Sequence, residues 1–422
     1  MPLYSRFVEL YRSFPTDGRL LFATRFTRLF AYGFLSVVLV LYLAEVGLTE
    51  WEIGTLLTLT LLGDTAISLW LTTTADRIGR KKMLLAGALL MAFAGVVFSW
   101  SSNYWLLLAA ATIGVISPSG NEIGPFLSIE QAALSQIVPD QRRTEVFAWY
   151  NLAGSVATAC GSLCGGLAAQ LLQWIGLEGA ASHRPLVIAY GAVGVILALG
   201  FVSLSPSVEV VSNEASMGVH PNFRSRFGLH KSRRVVLQLS ALFALDAFGG
   251  GFVMQSLVAY WFYVRFNVDP ATIGGIFFGA NLLAGVSALS AAWVASRIGL
   301  INTMVFTHLP SNVLLILVPL MPSVWLAIVV LLLRFSISQM DVPTRQSYTM
   351  AVVSPDERSA AAGVSGVARS IGAALSPSLA ALFLADSALL SLPFFLAGGI
   401  KIAYDLLLYR AFATSSRHRE LK

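Results

Sequence analysis

The sequence predicts an all-α polytopic membrane protein, in which about twelve transmembrane helices form two bundles. Apolar residues make up 56% of the 422 residues and charged residues only 12%, so lipid must surround most of the protein surface. Long apolar runs recur along the whole chain, and its two halves repeat one another in sequence. These three observations predict the fold class.

The apolar runs are long enough to cross the hydrocarbon core as α-helices, which takes about twenty residues each. The fourth and tenth runs are longer and are expected to protrude or bend. The predicted spans lie near residues 20–44, 54–75, 83–101, 105–136, 144–172, 185–205, 235–264, 272–294, 302–322, 324–352, 360–384 and 387–409.

The basic residues predict the orientation of these spans. With both termini in the cytoplasm, about twenty of the 28 Lys and Arg residues fall in cytoplasmic segments, and only Arg184 and Arg265 fall outside. This asymmetry predicts that both termini are cytoplasmic. We expect a multi-pass protein of the plasma membrane, or of the inner membrane in a Gram-negative cell.

The repeat predicts the domain organisation. Arg77-Ile78-Gly79 in the first half corresponds to Arg297-Ile298-Gly299 in the second, and Ile53-Gly54 corresponds to Ile273-Gly274 at the same offset. Two repeats in one orientation are typical of transporters. The predicted segments are an interfacial amphipathic helix at 1–18, a six-helix bundle at 19–204, a cytoplasmic linker at 205–234, a second six-helix bundle at 235–410 and a cytoplasmic tail at 411–422.

The linker contains the basic amphipathic stretch NFRSRFGLHKSRR. Because no folded basic domain accompanies it, we expect contact with an anionic lipid surface and no nucleic-acid partner. Cys160 and Cys164 lie one helical turn apart without a neighbouring histidine, so packing is expected there. We predict neither a metal nor a cofactor.

The predicted loop between spans two and three reads TTTADRIGRKKML. Gly79 permits a tight turn between antiparallel helices, and the basic cluster fixes the loop on the cytoplasmic side. Asp76, Arg77, Gly79, Arg80 and the following lysines resemble the loop signature of the major facilitator superfamily. The leading glycine of that signature is replaced by Thr72 or Thr73.

The resemblance implies two six-helix bundles related by pseudo-twofold symmetry, with spans one, four, seven and ten around a central cavity. It also implies that Asp76 pairs with an arginine and with the N-terminus of span eleven, which closes the cytoplasmic side; a plain basic turn is the alternative. Two family features of antiporters are missing, an arginine in span four and a proline in the glycine motif of span five.

Charged residues inside the predicted spans are costly, at about 3 kcal/mol each on insertion scales. The two signs balance, which favours internal pairs and leaves the charge of a substrate open. The residues are Arg25, Arg28, Arg334, Arg345, Arg369 and Lys401, against Asp64, Glu122, Glu130, Asp246, Asp341 and Asp405. We expect Lys401 and Asp405 to form a structural i,i+4 pair. For His308 we expect a satisfied or packing histidine, with a proton relay as the alternative.

Span four carries the stretch SGNEIGPFLSIEQ, with Asn121, Glu122 and Glu130. Its glycines and prolines predict a broken helix near the bilayer midplane, where transporters bind solutes and ions. Glu122 is therefore the predicted proton carrier; a permanent salt bridge to Arg334 or Arg345 is the alternative. Glu130 lies nearer the cytoplasmic end, where an arginine such as Arg25 or Arg28 is the expected partner.

Span ten carries Arg334, Ser338, Asp341 and Arg345 at steps that put them on one face. This polar stripe is predicted to face solute or protons, with an interhelical clamp as the alternative, and Asp246 is a further candidate proton site. Asp64 and Arg369 are candidates for a gate in one conformational state; a permanent bridge is the alternative.

Together with the resemblance, these features predict a secondary active transporter of a small solute that works by rocking-bundle alternating access. Proton-coupled efflux is the preferred interpretation, and proton-coupled uptake is the alternative. A polytopic membrane enzyme would need a catalytic constellation, and a transporter-like sensor would need a soluble output domain; we find neither pattern. We expect a monomer that is not an enzyme.

Overall fold

The computed structural model describes residues 14–122, 124–139, 142–209, 229–354 and 357–417, without the side chains of residues 76, 144, 359 and 413–417. Three predicted features therefore lie partly outside the described residues. They are the interfacial helix at 1–18, the basic linker at 205–234 and the tail at 411–422.

The described residues form α-helices, numbered here along the chain, and two short 3-10 helices at Pro206–Val208 and Val318–Leu320. The α-helices are Thr16–Ser36 (α1), Leu39–Glu45 (α2), Glu50–Ile78 (α3), Arg80–Trp100 (α4), Tyr104–Ile113 (α5), Phe126–Ile137 (α6), Arg143–Trp174 (α7), Ala180–Val202 (α8), Arg233–Gly251 (α9), Gln255–Phe266 (α10), Pro270–Ile298 (α11), Leu300–Leu317 (α12), Val324–Ile337 (α13), Asp341–Val352 (α14), Arg358–Ala374 (α15), Pro377–Leu384 (α16) and Leu392–Arg417 (α17).

The predicted all-α membrane fold is confirmed. Within the described ranges, 10 helices are long and apolar enough to cross a membrane, and the count is 11 if α1 and α2, which meet at 45°, form one bent span. The predicted fourth span is divided into the shorter helices α5 and α6. The exact count of twelve stays a prediction.

The chain divides into two compact units. The N-terminal unit comprises Met1–Asn213 and Asn267–Phe278, and the C-terminal unit comprises Glu214–Phe266 and Gly279–Lys422. The domain boundaries predicted from the repeat stay predictions.

In the N-terminal unit, α1 packs against α7 and α8, and α4 packs against α8. Glycines let the α1 and α7 backbones touch: a Cβ atom added at Gly33 would lie 2.1 Å from the Thr158 carbonyl oxygen, and one at Gly161 would lie 2.0 Å from that of Phe30. Small residues at membrane helix contacts have this effect. The close packing holds the polar face of α1 against α7.

In the C-terminal unit, α9 packs against α15 and α17, and α12 packs against α13, α14 and α17. A buried apolar cluster that includes Leu239, Phe243, Tyr348 and Tyr404 joins four of these helices. This arrangement brings the charged side chains of α9, α12, α14 and α17 together.

The loop between α3 and α4 turns at Gly79, whose φ of 117° favours glycine. Its predicted role as a turn is confirmed. The backbone N–H groups of Arg80 and Lys81 donate to the Glu209 carboxylate at 2.7 and 3.2 Å, and Lys81 Nζ donates to the Leu204 carbonyl at 2.8 Å. Glu209 thus satisfies the free N–H groups at the start of α4.

A second carboxylate caps the start of α9. The backbone N–H groups of Lys231 and Ser232 donate to Glu357 at 2.7 and 2.8 Å, and that of His230 also donates to it. Burial on its own would raise the pKa of Glu357, but these hydrogen bonds lower its pKa to about 2. The carboxylate therefore stays ionised at physiological pH and ties the loop before α15 to the start of α9.

The contact between α1 and α7 predicts the effect of a single methyl group. Gly161→Ala places a Cβ atom against the α1 backbone and should destabilise the protein by about 1–3 kcal/mol, measured as a lower unfolding temperature in detergent. Gly399→Ala is the matched control, since a Cβ atom there meets nothing within 4 Å. Equal stability of the two variants would contradict the close contact.

Candidate functional site

Buried charged side chains gather at one place in each unit. The N-terminal charge cluster consists of Arg25, Arg28, Asp64, Glu122, Glu130 and Tyr150. The C-terminal charge cluster consists of Asp246, His308, Arg334, Asp341, Arg345, Arg369, Lys401 and Asp405.

Arg28 is the centre of the N-terminal charge cluster. Its side chain is fully buried, and its two terminal nitrogens each lie 2.7 Å from an oxygen of Glu130, which is also fully buried. The Tyr150 hydroxyl donates to the same carboxylate, and the Arg28 guanidinium lies 4.3 Å from the centroid of the Phe126 ring. The predicted pairing of Glu130 with an arginine of span one is confirmed.

The predicted break in span four is confirmed. Between α5 and α6 the backbone has positive φ angles at Gly120 and Gly124, of 69° and 78°, and the Ser117 hydroxyl donates to the Asn121 carbonyl at 2.7 Å. The Asn121 side chain itself is exposed. Glu122 lies within this non-helical segment.

The break places Glu122 beside α1. Its carboxylate lies 2.8 Å from Arg25 Nη1 and 2.9 Å from Arg28 Nη2. Glu122 thus has partners within its own unit; Arg334 and Arg345, the alternative partners predicted for it, lie in the C-terminal unit, and that pairing stays a prediction. In a regular helix, the helical period would determine which side of the helix Glu122 faces. Because the backbone is broken here, Glu122 instead reaches Arg25 and Arg28 of its own unit.

Asp64 is the third carboxylate of the N-terminal charge cluster. It accepts hydrogen bonds from the Ser68 hydroxyl at 3.3 Å and from the Gly124 backbone N–H, and the Glu122 carboxylate repels it electrostatically. In the described part of its own unit, no cationic side chain lies within 4.0 Å of it. The cluster thus has one more carboxylate than it has arginines.

Asp246 is the centre of the C-terminal charge cluster. One of its oxygens lies 2.6 Å from Lys401 Nζ and 3.7 Å from His308 Nε2. The other lies 3.3 Å from Arg345 and 3.6 Å from Arg369. One aspartate of α9 therefore holds cations from α14, α15 and α17.

The predicted pair between Lys401 and Asp405 is wrong. Lys401 binds Asp246, whereas Asp405 accepts from Asn312 at 2.9 Å and lies 2.9 Å from His308 Nδ1. An i,i+4 pair along one helix is weak, and each side chain instead binds a buried polar group on another helix. The prediction that His308 is a satisfied buried residue is confirmed.

The polar stripe of span ten lies on both sides of a break between α13 and α14. Asp341 and Arg345 are 4% and 6% exposed and lie 3.0 Å apart, and Arg345 also reaches Asp246. The interhelical clamp, predicted as the alternative to a water-facing stripe, describes these two residues. Arg334 differs: its Nε atom is buried and has no hydrogen-bond partner.

The candidate gating residues differ in their contacts. The Arg80 side chain donates to Gln136 Oε1 at 2.8 Å and to the Val208 carbonyl at 3.2 Å. Arg77 is exposed, and the side chain of Asp76 lies outside the described residues. Asp64 and Arg369 each contact a partner of their own unit, Ser68 and Asp246. The gate between them and the latch at Asp76 therefore stay predictions.

Sequence reasoning missed three polar residues that complete these clusters: Tyr150, Asn151 and Asn312. Asn151 accepts from Arg25 at 3.3 Å, and Asn312 lies one helical turn from His308 on α12. Each is a polar residue inside an otherwise apolar predicted span. This is the signal that would have indicated a structural role.

Comparison with known proteins agrees with this architecture. The family model described as Major Facilitator Superfamily matches residues 21–377. An uncharacterized membrane protein of Saccharomyces cerevisiae, YJR124C, is 30% identical over 417 residues, which is 93% of this chain and 93% of that protein. The quinolone resistance protein NorA of Staphylococcus aureus is 23% identical over 254 residues, 59% of this chain and 60% of NorA.

Among solved structures, the nucleoside transporter NupG superimposes with a TM-score of 0.73 at 13% identity, over 94% of this chain and 99% of NupG. This likeness concerns the fold. Since the family model covers most of the chain and the yeast relative covers nearly all of it, the protein belongs to the Major Facilitator Superfamily.

Proposed function

We propose that the protein exports a small solute in exchange for protons, as a monomer that works by rocking-bundle alternating access. The family and the fold indicate a secondary transporter of small solutes rather than an enzyme. Export as the direction is supported by the similarity to the quinolone resistance protein NorA. The observation that carries proton coupling is the surplus carboxylate of the N-terminal charge cluster.

The contacts favour Asp64 as the group that takes up the proton. Glu122 is held by two guanidiniums and Glu130 by one, so protonating either would leave a buried arginine without its partner. Asp64 has hydroxyl and backbone N–H donors but no cation in the described part of its unit. It can gain and lose a proton without breaking an ion pair. Glu122, which the sequence predicts as the proton carrier, is the residue against which Asp64 is tested.

Two variants separate these roles in liposomes with an imposed pH gradient, an internal pH dye and a library of anionic, neutral and cationic solutes. Asp64→Asn should retain solute exchange between the two sides but lose gradient-driven transport, because the proton has no acceptor. Glu122→Gln removes a partner of Arg25 and Arg28, so its main effect should be a lower unfolding temperature.

The opposite pattern would return the carrier role to Glu122. That pattern is full proton coupling in Asp64→Asn together with selective loss of coupling in stable Glu122→Gln. A proton-driven import of the same solutes by the unmodified protein would replace export with uptake.

The loop at residues 76–80 is proposed as a latch that closes the cytoplasmic side. A carboxylate at a helix N-terminus is stabilising, so Asp76→Asn should weaken closure and lower turnover several-fold while expression stays normal. Glu178→Gln is the control, since Glu178 is an exposed loop acid. Unchanged turnover in Asp76→Asn would leave the loop as a basic turn only.

We also propose that the chain lies in the plasma membrane, or in the inner membrane of a Gram-negative cell, with both termini cytoplasmic. In a background lacking Cys160 and Cys164, a cysteine at Lys82 should react only with reagents that reach the cytoplasm. A cysteine at Glu178 should react with an impermeant reagent from outside. Labelling of the Lys82 position from outside would overturn this orientation.

A further inference from the structure

The two charge clusters differ in net charge. With His308 neutral, the C-terminal charge cluster has one more cationic side chain than it has carboxylates, whereas the N-terminal charge cluster has one more carboxylate than it has arginines. A buried charge without a counter-ion is unfavourable in a membrane protein. A bound anion would neutralise the surplus in the C-terminal unit.

The pairing within the C-terminal charge cluster identifies the cation that carries the surplus. Arg345 is held by Asp341 and Asp246, and Lys401 by Asp246. Arg369 has its contact with Asp246 at 3.6 Å. Arg334 has no carboxylate within 4.0 Å in the described part of its unit, although Asp246 and Asp341 attract it electrostatically from further away.

Two hydrogen-bond donors without partners lie about one helical turn apart. Arg334 is on α13, and Ser338 directly follows the end of that helix. Arg334 Nε and Ser338 Oγ are both buried, and neither has a hydrogen-bond partner. Residues four apart lie on the same side of a helix. A guanidinium N–H and a hydroxyl at this spacing form a two-donor arrangement suited to the oxygens of one anionic group.

The position of Arg334 on its helix shows that it faces inward. Ala327, Leu331 and Ser338, at the same helical phase, are 0%, 2% and 4% exposed, whereas the neighbouring Leu333 is 53% exposed. Arg334 itself is only partly buried. Its side chain is therefore directed away from lipid, and the residue as a whole keeps some exposure.

We infer that Arg334 and Ser338 bind the anionic group of an organic anion, which is the class of solute that this transporter carries. The inference rests on the transport function proposed above and adds the charge of the substrate. The anionic oxygens accept from Arg334 and Ser338, and the bound charge neutralises the cationic surplus of the C-terminal charge cluster. A carboxylate and a phosphate monoester share this chemistry.

Binding can be tested without knowledge of the natural solute. Purified protein in nanodiscs of neutral phosphatidylcholine is titrated with monocarboxylates from acetate to naphthoate, with their primary amides and with alkyl phosphates, and the unfolding temperature is recorded. At least one carboxylate or phosphate should stabilise the protein, and the matching amide should not, because it is uncharged.

The variants assign the effect to this site. Arg334→Gln should weaken binding of the stabilising anion about 10- to 100-fold, the range expected for a hydrogen bond to a charged group. Ser338→Ala, which changes no charge, should weaken it about 3- to 10-fold. Arg297→Gln removes an exposed positive charge outside the cluster and should bind as the unmodified protein does. Ser338→Ala keeps the test valid if Arg334→Gln fails to fold.

Several results would overturn the inference. They are stabilisation by no member of the anion series, equal stabilisation by the amides, or unchanged binding in both Arg334→Gln and Ser338→Ala. Arg334-dependent stabilisation by added phosphatidylglycerol alone would replace the solute with a lipid headgroup.

The same proteoliposome screen separates this inference from the proposed function. Transport of neutral or cationic solutes, with no binding of anions, would overturn the inference and leave the transport function intact. Arg334-dependent binding of an anion without transport of any solute would contradict the transport function but retain the binding site.

Discussion

The fully buried pair between Arg28 and Glu130 shows the constraint on which the rest of the structure depends. In a chain surrounded by lipid, a charge is tolerated only beside an opposite charge or a set of hydrogen-bond donors. Arg28 meets this demand with Glu130 and Glu122, and Tyr150 completes the set from α7. The close backbone contact at Gly33 and Gly161 holds α1 against α7, the helix that carries Tyr150.

The C-terminal unit satisfies the same constraint around a carboxylate instead of a guanidinium. Asp246 holds Lys401, Arg345 and Arg369, and His308 links it to Asp405. The two units thus have surpluses of opposite sign. In the proposed mechanism a proton compensates the surplus of the first unit, and an anionic solute compensates that of the second.

Much of this architecture could be predicted from local sequence. The glycines and prolines around Glu122 predict the broken span because they disfavour a continuous helix, and Gly79 predicts a turn because its φ is open only to glycine at low cost. The partner of Glu130 could be predicted from its depth alone. The pair of Lys401 and Asp405 could not, because the partner that Lys401 finds, Asp246, lies 155 residues away.

The sequence by itself determined the membrane fold, the family resemblance, the position of the break in span four and the balance of charges within the spans. These properties depend on composition and on neighbouring residues. Only the tertiary structure decided how the charges divide between the units, that Asp64 and Arg334 have no opposite charge within 4.0 Å in the described part of their own units, and that Arg334 Nε and Ser338 Oγ lack hydrogen-bond partners. Pairing of buried charges depends on which helices touch, and that follows from packing across the whole chain rather than from any local pattern.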